Sequence, residues 1–332
     1  MKFARRRIGR TKVEVSTMGL GTASLGGNML AVSDAMGREI VDLAMDSGIT
    51  YLDTAPYYGY GKSERATGDG IRERKNWVLS TKIGRLLKPR FGPVATGENW
   101  KSPLPFQPVY DYSYDATMRS YEDSLQRLGL NHIDIVYVHD IDVGLGGADY
   151  ARPAFAKAIK GAYKALDELR RNGDIKAIGL GVNIVRPIVD AMGYGQWDVF
   201  LLAGRYTLLE QAPLTTLFPK VEKMGASIVV GGPFNSGILA GGKTFNYAKA
   251  PKDVVARVKK IAAVCADHNV PLPAAALQFP VANPLVASII PGPRSPGELR
   301  QIFDYWQTKI PPALWSDLKT AGVLDKSAPT PK

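Results

Sequence analysis

The chain has 332 residues, 45% of them hydrophobic and 22% charged, with 34 glycines, 23 prolines and a single cysteine, Cys265. That is globular composition, which excludes a collagen-like repeat, a disordered chain and a disulfide scaffold. The formal charge of +11 is gathered in acid-free groups, Lys2 to Lys12 and then Lys82, Arg85, Lys88 and Arg90, a field that attracts anions.

No aromatic-interleaved basic motif points to nucleic acid. No apolar run reaches the roughly 18 residues that cross a bilayer, and the basic start has no apolar stretch behind it. The sequence therefore reads as a cytoplasmic protein without a membrane or nucleic-acid partner, its oligomeric state left open.

In chain order, short runs around Ile8 and Val13–Val15 flank Gly9-Arg10 and predict a hairpin at the bottom of the fold. Eight apolar runs follow: TMGLGT (17–22), ITYLDT (49–54), WVLSTK (77–82), IDIVYVH (133–139), IKAIGLGV (175–182), WDVFLLAG (197–204), ASIVVGG (226–232) and LVASIIPG (285–292). Their apolarity is continuous, which suits parallel strands covered on both faces. Between them lie amphipathic segments. Ser33 caps one that turns Met36, Ile40, Leu43 and Ala44 inward and stops at Gly48. Asp115 opens a second, with Met118, Leu125 and Leu128 inward, ended by Gly129. Phe155, Ile159, Leu166 and Leu169 form a third stripe, ended by Gly173, and Val254, Val258, Ile261 and Cys265 a fourth.

This alternation predicts an α/β fold, a (β/α)8 TIM barrel with the N-terminal hairpin before it and extra helices at the C-terminal end. A doubly wound sheet would need a Gly-x-Gly-x-x-Gly turn, and Gly19-Leu20-Gly21 followed by Ser24, or Gly179-Leu180-Gly181 followed by Ile184, does not complete one. Residues 1–326 read as a single barrel domain and 327–332 as a disordered tail. Gly84–Ser113 and HDIDVGLGGADYARP (139–153) read as excursions over the barrel mouth.

In such a barrel, chemistry collects where the strands end. The second, third and fourth runs end on Asp53, Lys82 and His139, with Tyr58 just past Asp53. A free phenol loses its proton near pH 10, and an ammonium beside it lowers that value. Lys82 is thus expected to acidify Tyr58, Asp53 to orient Lys82 and keep it charged, and His139 to hydrogen-bond the reacting oxygen. The group has no strong nucleophile and no metal-ligand cluster, so a cofactor has to supply the hydride or electrophile.

YLDTAPYYGYGKSE (51–64), STKIG (80–84), YVHDID (137–142) and SIIPGPRSP (288–296) occur in this order. On them the chain resembles the aldo-keto reductase superfamily over essentially its whole length. The resemblance implies a catalytic tetrad of Asp53, Tyr58, Lys82 and His139, with Tyr58 in place of Tyr57 because it directly precedes Gly59. HDIDVG, LLAGRYTLLEQ and GGPFNSGILAGG are similar to the branch holding D-threo-aldose 1-dehydrogenase, L-fucose and L-galactose dehydrogenases and a pyridoxal 4-dehydrogenase. That branch oxidises a cyclic hemiacetal to a lactone with a nicotinamide dinucleotide. The implied activity is hydride transfer between NAD, or NADP, and a sugar hemiacetal or related alcohol or carbonyl. The alternatives are an NADPH-dependent aldehyde or ketone reductase and a cofactor-sensing interaction subunit, the latter opposed by the complete tetrad.

The resemblance also implies cofactor contacts. Thr22 and Asp53 fall near the nicotinamide ribose and Asn183 on the carboxamide. Phe234, Asn235, Ser236, Gly237, Ile238 and Leu239 wrap the pyrophosphate with backbone N–H groups, and Gly292, Arg294 and Glu298 lie near the adenosine. Val182, Ala203 or Gly204, and Gly231 stand where relatives carry serine, glutamine and a stacking tyrosine. A carboxylate at Glu298 repels a 2′-phosphate and accepts from a free 2′-hydroxyl, which favours NAD. The same Glu298 completes a capping box with Ser295, and Arg294 remains able to serve a phosphate. Asp140, Asp142 and Trp100 read as residues of surface loops.

Overall fold

In the computed structural model, residues 2–93, 100–141 and 148–331 are described, 148–152 by their backbone alone. The eight apolar runs become eight parallel strands: β1 Leu20–Gly21, β2 Tyr51–Asp53, β3 Val78–Ile83, β4 Ile135–His139, β5 Ala177–Val182, β6 Val199–Ala203, β7 Ser227–Gly231 and β8 Val286–Ile290. They pair in sequence order, and the ring closes where Gly19 N–H donates to Ile289 O at 2.8 Å and Ile289 N–H to Thr17 O at 3.0 Å.

The unbroken apolarity has its reason in two cores. Alternate residues, among them Tyr51, Tyr137, Val199, Leu201 and Val229, fill the barrel. Their neighbours Leu52, Val136, Val138, Phe200 and Val230 meet the surrounding helices. All strand positions except Val78 and Ala203, which are partly exposed, are thus buried. The predicted hairpin is present, Arg5–Arg7 pairing antiparallel with Glu14–Ser16. Its Ile8, Val13 and Val15 join the inner core and plug the barrel bottom.

Helix α1, Asp34–Asp46, starts where expected, Ser33 Oγ accepting from Met36 N. Its inward face is Gly37, Ile40, Val41 and Ala44. Met36, expected inward, lies in the first turn and is exposed. Helix α2 is Lys62–Ile71, and α3 is Tyr114–Leu128. Ser113, not Asp115, caps α3, and Gly129 ends it at φ +64°. The expected extra helices, Pro296–Gln307 and Pro312–Thr320, follow β8. The predicted disorder after residue 326 is not what the structure shows: Ala328 is buried and its carbonyl accepts from Lys319 Nζ at 2.8 Å. Composition alone reads Ser-Ala-Pro-Thr-Pro as a tail, and tertiary contacts order it.

Part of the first long excursion forms an antiparallel ribbon, Arg85–Pro89 with Phe106–Tyr110; of the second, residues 142–147 lie outside the described residues. Among the described residues no helix is long and apolar enough to cross a membrane.

One contact between α2 and α3 carries a test. A Cβ at Gly68 would run into the backbone carbonyl of Leu128. Alanine is the better helix former by up to about 1 kcal/mol. Even so, Gly68→Ala is expected to destabilise the protein by about 1–3 kcal/mol in urea unfolding, because a backbone neighbour has no rotamer to give way.

Candidate active site

Strands β2, β3 and β4 lie side by side, in a register that sets Asp53 opposite Ser80 and Lys82 opposite Tyr137. Their ends deliver Asp53, Lys82 and His139 to one rim, each at most 5% exposed. Lys82 Nζ donates to Asp53 Oδ2 at 2.6 Å and to Thr54 O at 2.8 Å, and Asp53 Oδ1 accepts from Ser80 Oγ at 2.7 Å. The same ammonium sits 4.7 Å from the centroid of the half-buried Tyr58 ring, and the rings of Tyr58 and His139 meet edge-on at 5.8 Å.

Two glycines place that tyrosine. A Cβ at Gly26 would come within 2.5 Å of the Tyr58 carbonyl carbon, and Gly59, at φ +62°, would drive one into Gly26 O. Only the bare backbones allow the Tyr58 turn to lie on the short 3-10 turn Ala23–Gly26.

The electrostatics differ in one respect from the expectation. Burial, then the carboxylates of Asp53 and Asp140, push the Tyr58 phenol well above its ordinary value, and the cation opposing them is Arg85. Lys82 is committed to Asp53, whose carboxyl burial raises against the pull of that ammonium. Burial, with Arg85 and Lys82, holds His139 well below the usual imidazole value. At neutral pH the site therefore contains a protonated phenol and an uncharged imidazole.

Arg85 is the residue that the sequence reading missed, and Asp140, which reads in sequence as a hydroxyl-binding candidate or more simply as surface loop, belongs to the site with it. Arg85 is 4% exposed, its guanidinium 4.1 Å from the Tyr57 ring centroid and its Nη2 donating to Asp140 Oδ2 at 2.9 Å. Asp140 also accepts from Asn183 Nδ2 at 3.0 Å. In sequence, Arg85 falls just beyond β3 after Gly84, a rim position, yet it stood out only as part of a basic group. Trp100 is no loose loop residue: it is buried and packs 5.4 Å from Tyr57 and 5.9 Å from Tyr58 as a roof. Asp142 lies outside the described residues.

The residues expected at a dinucleotide are in varied settings. Thr22 is fully buried; its hydroxyl donates to Asp53 O at 2.8 Å and accepts from Ser63 Oγ at 2.7 Å. It therefore anchors the rim from beneath. Asn183 Oδ1 accepts from Tyr247 Oη at 3.3 Å, so the turn joining Thr244–Phe245 to Ala248–Lys249 reaches over to β5.

Beyond β7 the chain turns through three successive left-handed residues, Asn235, Ser236 and Gly237. Gly237 N–H and Leu239 N–H both donate to Phe234 O, at 3.0 and 3.2 Å, so these two donors close the turn on itself instead of facing outward. Ser236 Oγ accepts from Tyr247 N at 3.1 Å. Asn235 Nδ2 donates to Gly204 O at 2.9 Å, while its Oδ1 is buried without a partner. After β8, Gly292 lies against Gly21 O, which a Cβ there would meet at 3.2 Å. Glu298 Oε2 accepts from Arg294 N at 2.8 Å, its Oε1 from Arg294 Nη2 at 2.8 Å, and Glu298 N–H donates to Ser295 Oγ at 3.1 Å. Ser295 thus caps the helix, and the Glu298 carboxylate, instead of closing the expected capping box on Ser295 N, pairs with Arg294.

A dinucleotide fits these surroundings. Asn235 Oδ1 is an acceptor awaiting a donor, and β6 and β7 end in Ala203 and Gly231, each followed by a glycine, so no large side chain fills the rim there. No cluster of three metal-ligating side chains exists among the described residues.

Residues 17–322 match the model of the aldo/keto reductase family. The chain is 42% identical to pyridoxal 4-dehydrogenase of Microbacterium luteolum, over 96% of this chain and 98% of that one. It is 35% identical to D-threo-aldose 1-dehydrogenase of a Pseudomonas species, over 96% of each. In fold it is similar to the holo form of an aldo-keto reductase from Bacillus halodurans, with a TM-score of 0.73 at 23% identity over 96% of each chain. A match that begins at the first barrel strand and runs past the last helix leaves one conclusion: the chain belongs to the aldo/keto reductase family.

Proposed function

We propose that the protein oxidises the cyclic hemiacetal of an aldose, or of a related hydroxy-aldehyde such as pyridoxal, to the lactone with NAD, and that Tyr58 carries the proton. The observation carrying this reading is the position of Lys82 Nζ, 2.6 Å from Asp53 Oδ2 and 4.7 Å from the Tyr58 ring centroid, with the His139 ring against the same tyrosine. An aldose and pyridoxal share the relevant chemistry, since each has an aldehyde that its own hydroxyl closes into a ring.

When bound, the nicotinamide supplies or accepts the hydride. In the oxidising direction Tyr58 Oη takes the hemiacetal hydroxyl proton, and in reduction it returns a proton to the carbonyl oxygen. Arg85 is the cation that favours the phenolate, Lys82 is held by Asp53 beside the ring, and the uncharged His139 aligns the reacting oxygen by a hydrogen bond. Trp100 and Tyr57 cover the site and exclude water. NAD is preferred over NADP because Glu298 both neutralises Arg294 and places a carboxylate where a 2′-phosphate would come. The lone thiol, Cys265, is buried and suits a reducing cytoplasm.

The test is dinucleotide reduction followed by absorbance, with NAD and NADP each against a panel of aldoses, lactols and pyridoxal. Oxidation of at least one cyclic hemiacetal with NAD is expected. Activity confined to NADPH and simple aldehydes would replace this reading by that of a carbonyl reductase.

A further inference from the structure

At the ends of β5, β6 and β7, Val182, Ala203 and Gly231 bring neither a polar nor an aromatic side chain to the positions where the resemblance to aldo-keto reductases implies a nicotinamide clamp. Asn183 is left as the polar residue there, and an amide is useful only if its oxygen and nitrogen face the right way. What fixes it is Asp140. One carboxylate oxygen of Asp140 accepts from Asn183 Nδ2 at 3.0 Å; the other accepts from Arg85 Nη2 at 2.9 Å and lies 3.3 Å from His139 Nε2. A carboxylate has no hydrogen to give. It therefore selects the face that each ambivalent neighbour presents. Asn183 has to turn its NH2 toward Asp140, which leaves Oδ1 on the other side, where Tyr247 Oη donates. His139 Nε2 makes no aligned hydrogen bond to that oxygen, but a bare lone pair 3.3 Å from a carboxylate is repelled, so the ring proton is favoured on Nε2, where it stays available to the reacting oxygen; Nδ1 is buried without a partner among the described residues.

The backbone holds Asp140 for this purpose. Its φ of +38° is a conformation that Asp adopts more readily than most side chains. Asp140 N–H donates to Gly181 O at 2.8 Å, and Tyr112 Oη donates to His139 O at 2.8 Å, so the corner is tied from both sides. Among the described residues Arg85 has no other hydrogen-bond acceptor: its Nε and Nη1 are buried and unpartnered there, and the guanidinium is wedged against Tyr57. Its principal task is to neutralise Asp140.

We propose that Asp140, held and neutralised by Arg85, is the positioning residue of this site, its one carboxylate keeping the His139 ring proton on Nε2 for the reacting oxygen and orienting the Asn183 amide for the nicotinamide carboxamide. The proposal rests on the dehydrogenase reading above and adds to it the device that replaces the missing clamp. The charged and titratable groups around the Tyr58 phenol are Asp53, Lys82, Arg85, His139 and Asp140. Of these, Asp53 and Asp140 oppose the phenolate and Arg85 favours it.

The experiment has a readout independent of turnover. In 15N spectra of histidine-labelled protein, wild-type His139 is expected as the Nε2–H tautomer, and Asp140→Ala is expected to remove that preference. Loss of a hydrogen bond to a charged group predicts dinucleotide binding weakened about ten- to a hundredfold in Asp140→Ala. The isosteric Asp140→Asn, which keeps the side-chain volume should the alanine variant fail to fold, is expected to weaken it about tenfold. A wild-type Nδ1–H tautomer, or unchanged dinucleotide affinity in the folded variants, would overturn the proposal. A wrong dehydrogenase reading shows itself differently: the wild-type protein would oxidise none of the hemiacetals, while the tautomer and affinity responses stayed as described.

Discussion

Tyr58→Phe is expected to bind dinucleotide as the parent does and to lose about two to four orders of magnitude in kcat, the usual contribution of a positioned general acid–base group. The substitution removes one oxygen and leaves the ring that Lys82, His139 and Trp100 pack against, so a structural loss cannot imitate the effect. The pH dependence gives a second signature. Because the phenol is held well above its ordinary value, its deprotonated fraction grows about tenfold per pH unit throughout the neutral and moderately alkaline range. Wild-type oxidation should climb with pH across that range, and the residual activity of Tyr58→Phe should not. Near-parental turnover in the variant would remove Tyr58 from the chemistry and leave the barrel without a proton carrier at that position.

Much of this site is written in the chain one strand at a time. Asp53, Lys82 and His139 each close an apolar run, and in a parallel barrel the end of a run is the catalytic rim, so their convergence follows from counting strands. Ser33, Gly129 and Gly173 likewise announce helix ends through local chemistry, because a cap requires only its own backbone neighbours. What stays hidden is whatever depends on residues distant in sequence. Arg85 neutralises Asp140 from 55 positions away, and Asn183 meets Tyr247 across 64; neither pair leaves a mark in composition or periodicity. Asp140 reads as loop because it follows the last strand residue, and its left-handed φ of +38° is not visible in the letters. The left-handed triplet Asn235-Ser236-Gly237 is similar: the letters predict a turn, but whether its N–H groups face outward or inward is set by Phe234 O and by the strap carrying Tyr247.

Lys82→Met should be the most destabilising single change in the active site and should also abolish turnover. The side chains are of similar length, so packing changes little. What is lost is the partner of a carboxylate that is 2% exposed. Breaking a buried pair from one side typically destabilises by about 3–5 kcal/mol, and Asp53 would keep Ser80 Oγ as its hydrogen-bond donor. The pH dependence has a definite sign. Burial already raises the Asp53 carboxyl, with Lys82 the chief opposing influence, so removing Lys82 raises it further. A group whose folded pKa lies above its unfolded value binds more protons in the folded state, and the stability it contributes is present in acid and lost as pH rises through the folded value. The deficit of Lys82→Met relative to wild type, measured by urea unfolding, should therefore be smaller at pH 5 than at pH 8. Equal deficits at both would mean that Asp53 is not the group left stranded. Adding Asp53→Asn to Lys82→Met replaces the stranded charge by a neutral amide and is expected to recover much of the stability at pH 8, and none of the turnover. That separation follows from the geometry, because the pair stabilises the fold little while its ammonium lies 4.7 Å from the Tyr58 ring.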